Sequence, residues 1–184
     1  MPGGSEPQSA GGGARELLLL RHAKSSWKSA ASSDHARPLA KRGRRDAPRI
    51  GQWLHARGLT PGWVVSSPAL RARQTTDAVA AALGLAHETL RFDERVYLAD
   101  DAQLLQVLAD CPPVARVLVV GHNPGLDQLL QYLCGTGLPH TDKGKLLTTA
   151  ALARLAMPPD WHQLKPECAR LLALIRPREL ESGA

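Results

Sequence analysis

Three short apolar runs, each stopping abruptly on polar side chains, frame this chain: Leu17-Leu18-Leu19-Leu20, Trp63-Val64-Val65 and Val117-Leu118-Val119-Val120. Runs of this length without polar alternation suit strands buried on both faces and are too short for persuasive helices. Between and after them the period changes. Residues 43–55 place Ala47, Ile50, Trp53 and Leu54 at helical spacing, with Pro48 tolerable only in a first turn and Arg57-Gly58 at the exit. A second helix is expected from Pro68 or Ala69 to a stop at Gly84, and a short strand over 87–92. A third helix over 102–109, capped by Asp100 or Asp101, ends before Pro112-Pro113, and a fourth covers 126–133, approached through Pro124. Residues 135–145 read as loop, and 150–156 and 169–175 as two final strands joined by a turn at 157–160. Alternation of strands with helices predicts an α/β protein, a three-layer α/β/α sandwich around a mostly parallel sheet. One domain over 15–180 is expected, with residues 1–14 as a disordered Gly-rich tail and 181–184 as a frayed end.

Chemistry gathers where the apolar runs stop. The first ends in Arg21-His22, the third in Gly121-His122-Asn123, and the second leads through Ser66-Ser67-Pro68 to Arg71 and Arg73. In parallel sheets the C-terminal strand ends form the ligand crevice, so two histidines and two arginines would meet on one rim. Such a set suits a phosphoryl group: guanidinium forks hold its oxygens, and a neutral imidazole can attack phosphorus. Nearby guanidinium charge would also keep His22 unprotonated. Arg73, two residues beyond Arg71 on a helix, should point away to the surface. Lys24, Ser25, Lys28 and Asn123 lie close enough in sequence to touch substrate. His35, His55, His87, His140 and His162 read as ordinary loop or helix-face histidines.

The Leu-Leu-Arg-His opening, Ser66 to Thr75 and Val120-Gly121-His122-Asn123-Pro124-Gly125 together resemble the histidine phosphatase superfamily, and within it the small SixA-type phosphohistidine phosphatases. Asp34 to Leu39 with Arg42-Gly43, Val96 to Ala99 and Thr148 to Ala153 extend the similarity over nearly everything from Glu16 to about Leu180. The resemblance implies a phosphoglycerate mutase-like fold, a transient phosphohistidine on His22, and Arg21, Arg71 and His122 as its catalytic companions. It also implies a phosphorylated protein or small phosphorylated molecule as substrate. In related mutases a glutamate after the third strand serves as general acid; the corresponding region here, Asp93-Glu94-Arg95-Val96-Tyr97, makes Glu94 a candidate but lacks the usual Gly and Trp setting.

Composition narrows the alternatives. The chain has 184 residues, 43% of them hydrophobic, and a formal charge of +6, which favours anionic partners. Cys111, Cys134 and Cys168 are odd in number and widely spaced, so reduced thiols and a cytoplasmic location are expected. No apolar run approaches a membrane span, and no signal-peptide pattern opens the chain. No P-loop and no clustered metal-ligand spacing occur, so neither cofactor nor metal is expected. Two other classes compete. A broader phosphomonoesterase or mutase-like enzyme would need Glu94 as acid. A basic module would use Arg37, Lys41, Arg42, Arg44, Arg45 and Arg49, but without interleaved aromatics no specific nucleic-acid binding is expected. A catalytically silent relative is disfavoured by the presence of all four core residues.

Overall fold

The computed structural model describes residues 14–182. Its centre is a six-stranded sheet in the order β3-β2-β4-β1-β5-β6. β1 (Arg15–Arg21), β2 (Trp63–Ser66), β3 (Leu90–Phe92) and β4 (Arg116–Gly121) run parallel, while β5 (Leu152–Met157) runs against them beside β1 and β6 (Arg170–Ile175), antiparallel to β5, closes that side of the sheet. Helices α1 (Lys41–His55) and α2 (Leu70–Leu83) pack together on one face, and α3 (Asp101–Ala109) and α4 (Gly125–Cys134) on the other. This is the α/β sandwich that the pattern predicts.

The leucine run shows why. Leu17 and Leu19 enter the core shared with α3 and α4, and Leu18 and Leu20 the core shared with α1 and α2. All four are fully buried. Because strand side chains alternate, a strand covered on both faces must be apolar at every position. Truncating any of these leucines to alanine costs about 2–5 kcal/mol.

Several local expectations are corrected. α1 begins at Lys41, so Pro48 lies inside it and not in its first turn. Packing outweighs the lost hydrogen bond: Ala47, Ile50 and Leu54 bury their side chains, and Gly51 lies so close to α2 that a Cβ would come within 2.7 Å of Ala82. Residues 87–89 form a 3-10 turn, leaving only Leu90–Phe92 as strand. The connection between β5 and β6 is no tight turn; it spans 158–169 and buries Trp161 against Arg15. The expected frayed end is occupied at its start by a 3-10 turn, Pro177–Ser182. The expected Gly-rich tail lies outside the described residues except for Ala14, as do residues 183–184. Asp100 does cap α3, with Gln103 completing a capping box.

Candidate active site

The strand order β2-β4-β1 places the three motif-bearing strand ends side by side. Backbone bonds then lock the loops: His22 N–H donates to Gly121 O (3.0 Å), Ser67 N–H to Val120 O (2.9 Å) and Ala150 N–H to Arg21 O (3.1 Å). Thr75 ties the first loop to α2, accepting from Ala23 N–H at 3.0 Å and donating to Arg71 O at 2.7 Å. Two glycines allow close approach. A Cβ at Gly43 would lie 2.2 Å from Lys24 O, and one at Gly125 1.8 Å from Ala99 O, so any other residue there would displace the loops bearing the site.

Arg21, His22, Arg71 and His122 line one cavity of about 290 Å³, together with Lys24, Ser25 and Asn123. His22 Nδ1 lies 2.8 Å from Ala23 O. A carbonyl only accepts, so Nδ1 carries the proton and Nε2 keeps its lone pair. Nε2 faces Arg71 Nε at 3.4 Å. Arg71 Nη2 lies 3.3 Å from His122 Nδ1, which must accept, while His122 Nε2 lies 2.7 Å from Ser67 Oγ and donates to it. The two imidazoles are 5.1 Å apart. Both are held neutral. Burial, reinforced by the charges of Arg71 and Arg21, pulls His22 down to about 4 despite its bond to Ala23. Burial, with His22 and Arg71 beside it, pulls His122 down to about 3.

Arg21 donates Nη1 to Leu147 O at 2.9 Å, while its buried Nε has no partner. Asn123 donates to the same carbonyl at 3.0 Å and leaves its buried Oδ1 without one. Buried polar atoms without partners cost stability, and both belong to residues that line the cavity. Arg15, at the other end of β1, is fully engaged: its three nitrogens donate to the carbonyls of Val114, Pro159 and Pro112.

Sequence reasoning singled out neither Asp34 nor Arg37 nor Tyr97 for this site, although all three lie in segments that carry the resemblance. Asp34 accepts from Arg71 Nη2 (3.0 Å), Tyr97 Oη (2.8 Å) and Arg37 Nε (3.0 Å). Burial alone would raise its pKa; hydrogen bonds from Tyr97 and Arg71 hold it at about 2 instead. Arg37 also donates Nη1 to Ser25 Oγ at 3.0 Å. The Tyr97 ring meets His122 edge-on, 5.5 Å between centroids. Arg37 also belongs to the basic run, and its spacing from Asp34, which allows an i,i+3 pair, is the clue to its place here.

Other expected residues stay apart. Lys28 is exposed and is not among the lining residues. Glu94 lines a second cavity, with Trp63, Phe92 and Arg95. Its neighbour Arg95 pairs with Asp93 and Asp110, both at 2.7 Å. Arg73 is exposed, as expected, with its guanidinium over Phe92. At the start of α2, Leu70 N–H is taken by His35 O, and just before it Ala69 N–H is taken by Ser67 Oγ. In the basic run, Asp46 is buried and pairs with Arg42, Arg45 and Arg49. Among the described residues no three His, Cys, Asp or Glu side chains are grouped to hold a metal ion, and no helix is long and apolar enough to cross a membrane.

A mostly parallel α/β sandwich with two neutral histidines and two arginines lining one cavity defines the class, and comparison with known proteins gives the same class. Residues 17–97 match the model of the histidine phosphatase superfamily, branch 1. A candidate phosphohistidine phosphatase SixA from Nakamurella multipartitia is 32% identical, with a TM-score of 0.73 over 90% of this chain and 97% of that one. The protein histidine phosphatase SixA complexed with tungstate is 25% identical, with a TM-score of 0.71 over 90% and 99%. The phosphohistidine phosphatase SixA of Escherichia coli (strain K12) is 29% identical over 77% of this chain and 85% of its own length. The chain belongs to the histidine phosphatase superfamily and is a phosphatase, a hydrolase.

Proposed function

We propose that the protein hydrolyses phosphohistidine, or another small accessible phosphoryl group with a good leaving group, through a covalent intermediate on His22 and without a metal. The observation that carries this reading is the fixed tautomer of His22, with Nδ1–H on Ala23 O and an unprotonated Nε2 turned toward Arg71 in a cationic cavity. In the first step Nε2 forms a bond to phosphorus as the substrate's P–N bond breaks. The electron pair leaves on the departing nitrogen, which takes a proton from solvent. In the second, a water oxygen attacks phosphorus and the P–Nε2 pair returns to His22, releasing inorganic phosphate and a proton.

Arg21 and Arg71, both lining the cavity, bind the phosphoryl oxygens. His122 donates to another as charge builds in the transition state. That donation requires its proton on Nδ1, whereas in the free pocket it lies on Nε2. Ser67 makes the exchange possible, because its hydroxyl can accept from Nε2–H or rotate to donate to bare Nε2. Asp34 keeps Arg71 aimed. Arg21, Lys24, Arg37 and Arg71 line the cavity against one carboxylate, a field that attracts an oxyanion and repels a divalent cation. The relative bound to tungstate shows an oxyanion held by a protein of this shape.

Leaving-group choice follows from the same inventory. The cavity's one carboxylate, Asp34, is ionised at working pH and cannot donate a proton. General acid help is worth about 10²–10⁴ in rate, so alkyl phosphates lose that factor while phosphoramidates and aryl phosphates do not. The three free cysteines fit a cytoplasmic setting. The test is one panel of phosphohistidine peptide, aryl phosphate and glycerol phosphate, assayed with EDTA present. Turnover of the first two should survive chelation, and acid-labile, base-stable phosphate should be trapped on the enzyme. Loss of all activity, restored by a defined divalent ion, would overturn the metal-free reading.

A further inference from the structure

Two large hydrophobic side chains stand exposed among the described residues, Trp27 at 75% and Leu98 at 57%, and both line the cavity that holds His22. Exposed apolar groups are ordinary when scattered, but here they flank one opening. Neither is loosely placed. The Trp27 ring lies on the Arg37 guanidinium, 3.6 Å from its centroid. Arg37 is fixed in turn by Asp34 through Nε (3.0 Å) and Nη2 (2.9 Å), and by Ser25 Oγ through Nη1. The same Asp34 holds Arg71, so the indole platform and the phosphate fork are built on one carboxylate. Leu98 has φ 50°, a region that residues with a Cβ rarely adopt, and follows Tyr97, whose hydroxyl donates to Asp34.

Resting on the phosphatase reading, we propose that Trp27, backed by Arg37 and opposed by Leu98, is the leaving-group subsite: it stacks on a planar ring that carries the phosphoryl group, as the imidazole of phosphohistidine would. Arg37 covers one indole face, and the high exposure leaves the other to the incoming ring. Aromatic side chains favour offset or edge contacts with a second ring, and a face held from behind loses little freedom on stacking. The core of Arg21, His22, Arg71 and His122 treats every phosphoryl group alike, so selection among substrates requires a surface that touches what departs.

The test uses two inhibitors that cannot be hydrolysed, phenylphosphonate and methylphosphonate, against the full chain. The wild-type protein should bind the phenyl compound about 3–10-fold more tightly, the range a ring contact supplies. Trp27→Ala should bring that ratio close to one, and Trp27→Phe should keep most of it. A merely structural role for Trp27 would weaken both phosphonates alike and leave the ratio intact, which would overturn the proposal. So would a wild-type ratio of one. The ratio is read from binding and can be measured in His22→Ala as well. Failure of the covalent mechanism, seen as turnover persisting in that variant, is therefore distinguishable from failure of the ring subsite.

Discussion

Of two cavities that open among the described residues, the larger is the less promising one chemically. The cavity beside the outer strand β3 measures about 500 Å³, against about 290 Å³ for the one holding His22. In the larger, charges cancel locally: Arg95 is clamped between Asp93 and Asp110, and Arg91 lies over Trp63. In the smaller, four basic side chains face one carboxylate, two buried histidines are held neutral, and buried polar atoms of Arg21 and Asn123 lack partners. Volume records only that side chains failed to fill a space. Uncompensated charge and titratable groups forced from their ordinary state cost stability, and they are the features that catalysis requires.

The comparison breaks most directly at His22. Replacing it with alanine should lower kcat/KM by at least about 100-fold, equivalent to ~3 kcal/mol of barrier, with Tm at pH 7.5 little changed. Retention of more than about a hundredth of the activity would make covalent catalysis on this residue untenable.

Acidification is the next lever. An ordinary histidine titrates near 6.5. His22 and His122, with folded pKa values of about 4 and about 3, are proton-poor in the folded state relative to the unfolded chain below that pH. Their contribution to stability is therefore complete above 6.5 and declines as pH falls toward 4, by about 1.4 kcal/mol per unit for each histidine. Melting profiles of wild type and His22→Ala, nearly coincident at pH 7.5, should diverge toward pH 4.5, because the wild type loses stability that the variant, lacking this histidine, keeps. Parallel profiles would show that the site does not hold His22 neutral.

A smaller effect is expected from Asp34→Asn, which keeps the size of the side chain and removes its charge. Arg71 loses its ion pair and Arg37 its clamp, so kcat/KM should fall by about 10-fold, roughly one charge-assisted hydrogen bond at ~1.5 kcal/mol. Were Asp34 a surface residue in practice, the variant would match wild type.

How far the sequence shows these features depends on distance along the chain. The β1 leucines announce a doubly covered strand by themselves, and the Arg21-His22 and Gly121-His122 pairs announce its rim, because strand and loop are contiguous. The Asp34 hub is a different kind of feature. It joins Arg37, Arg71 and Tyr97, which lie on three separate segments, and a carboxylate amid a polar connection has no periodicity to mark it. The interior position of Pro48 was hidden for a related reason: the packing of α1 on α2 that tolerates it involves residues such as Gly51 and Ala82, more than thirty positions apart. The reversed sense of β5 also stays hidden, since the apolar pattern of a largely buried strand reads the same in either direction.

The smallest effect is expected at Glu94, and it is the one that separates the two enzymatic readings. A general acid must come within hydrogen-bond reach of the departing atom. Glu94 sits in the 3-10 turn Glu94–Val96 after β3 and lines the larger cavity, while the departing atom must lie opposite His22 in the smaller one. Glu94→Gln should therefore change kcat/KM by less than about 2-fold on phosphohistidine peptide and aryl phosphate, and leave the slow hydrolysis of glycerol phosphate equally slow. Measuring all three substrates matters, because an acid would show itself on the alkyl ester alone, where its help is worth about 10²–10⁴. If wild type hydrolyses glycerol phosphate as fast as phosphohistidine, and Glu94→Gln selectively abolishes that activity, then the turn after β3 swings Glu94 into the histidine cavity when substrate binds. The protein would then be a general phosphomonoesterase, and the separation between its two cavities a property of the free state only.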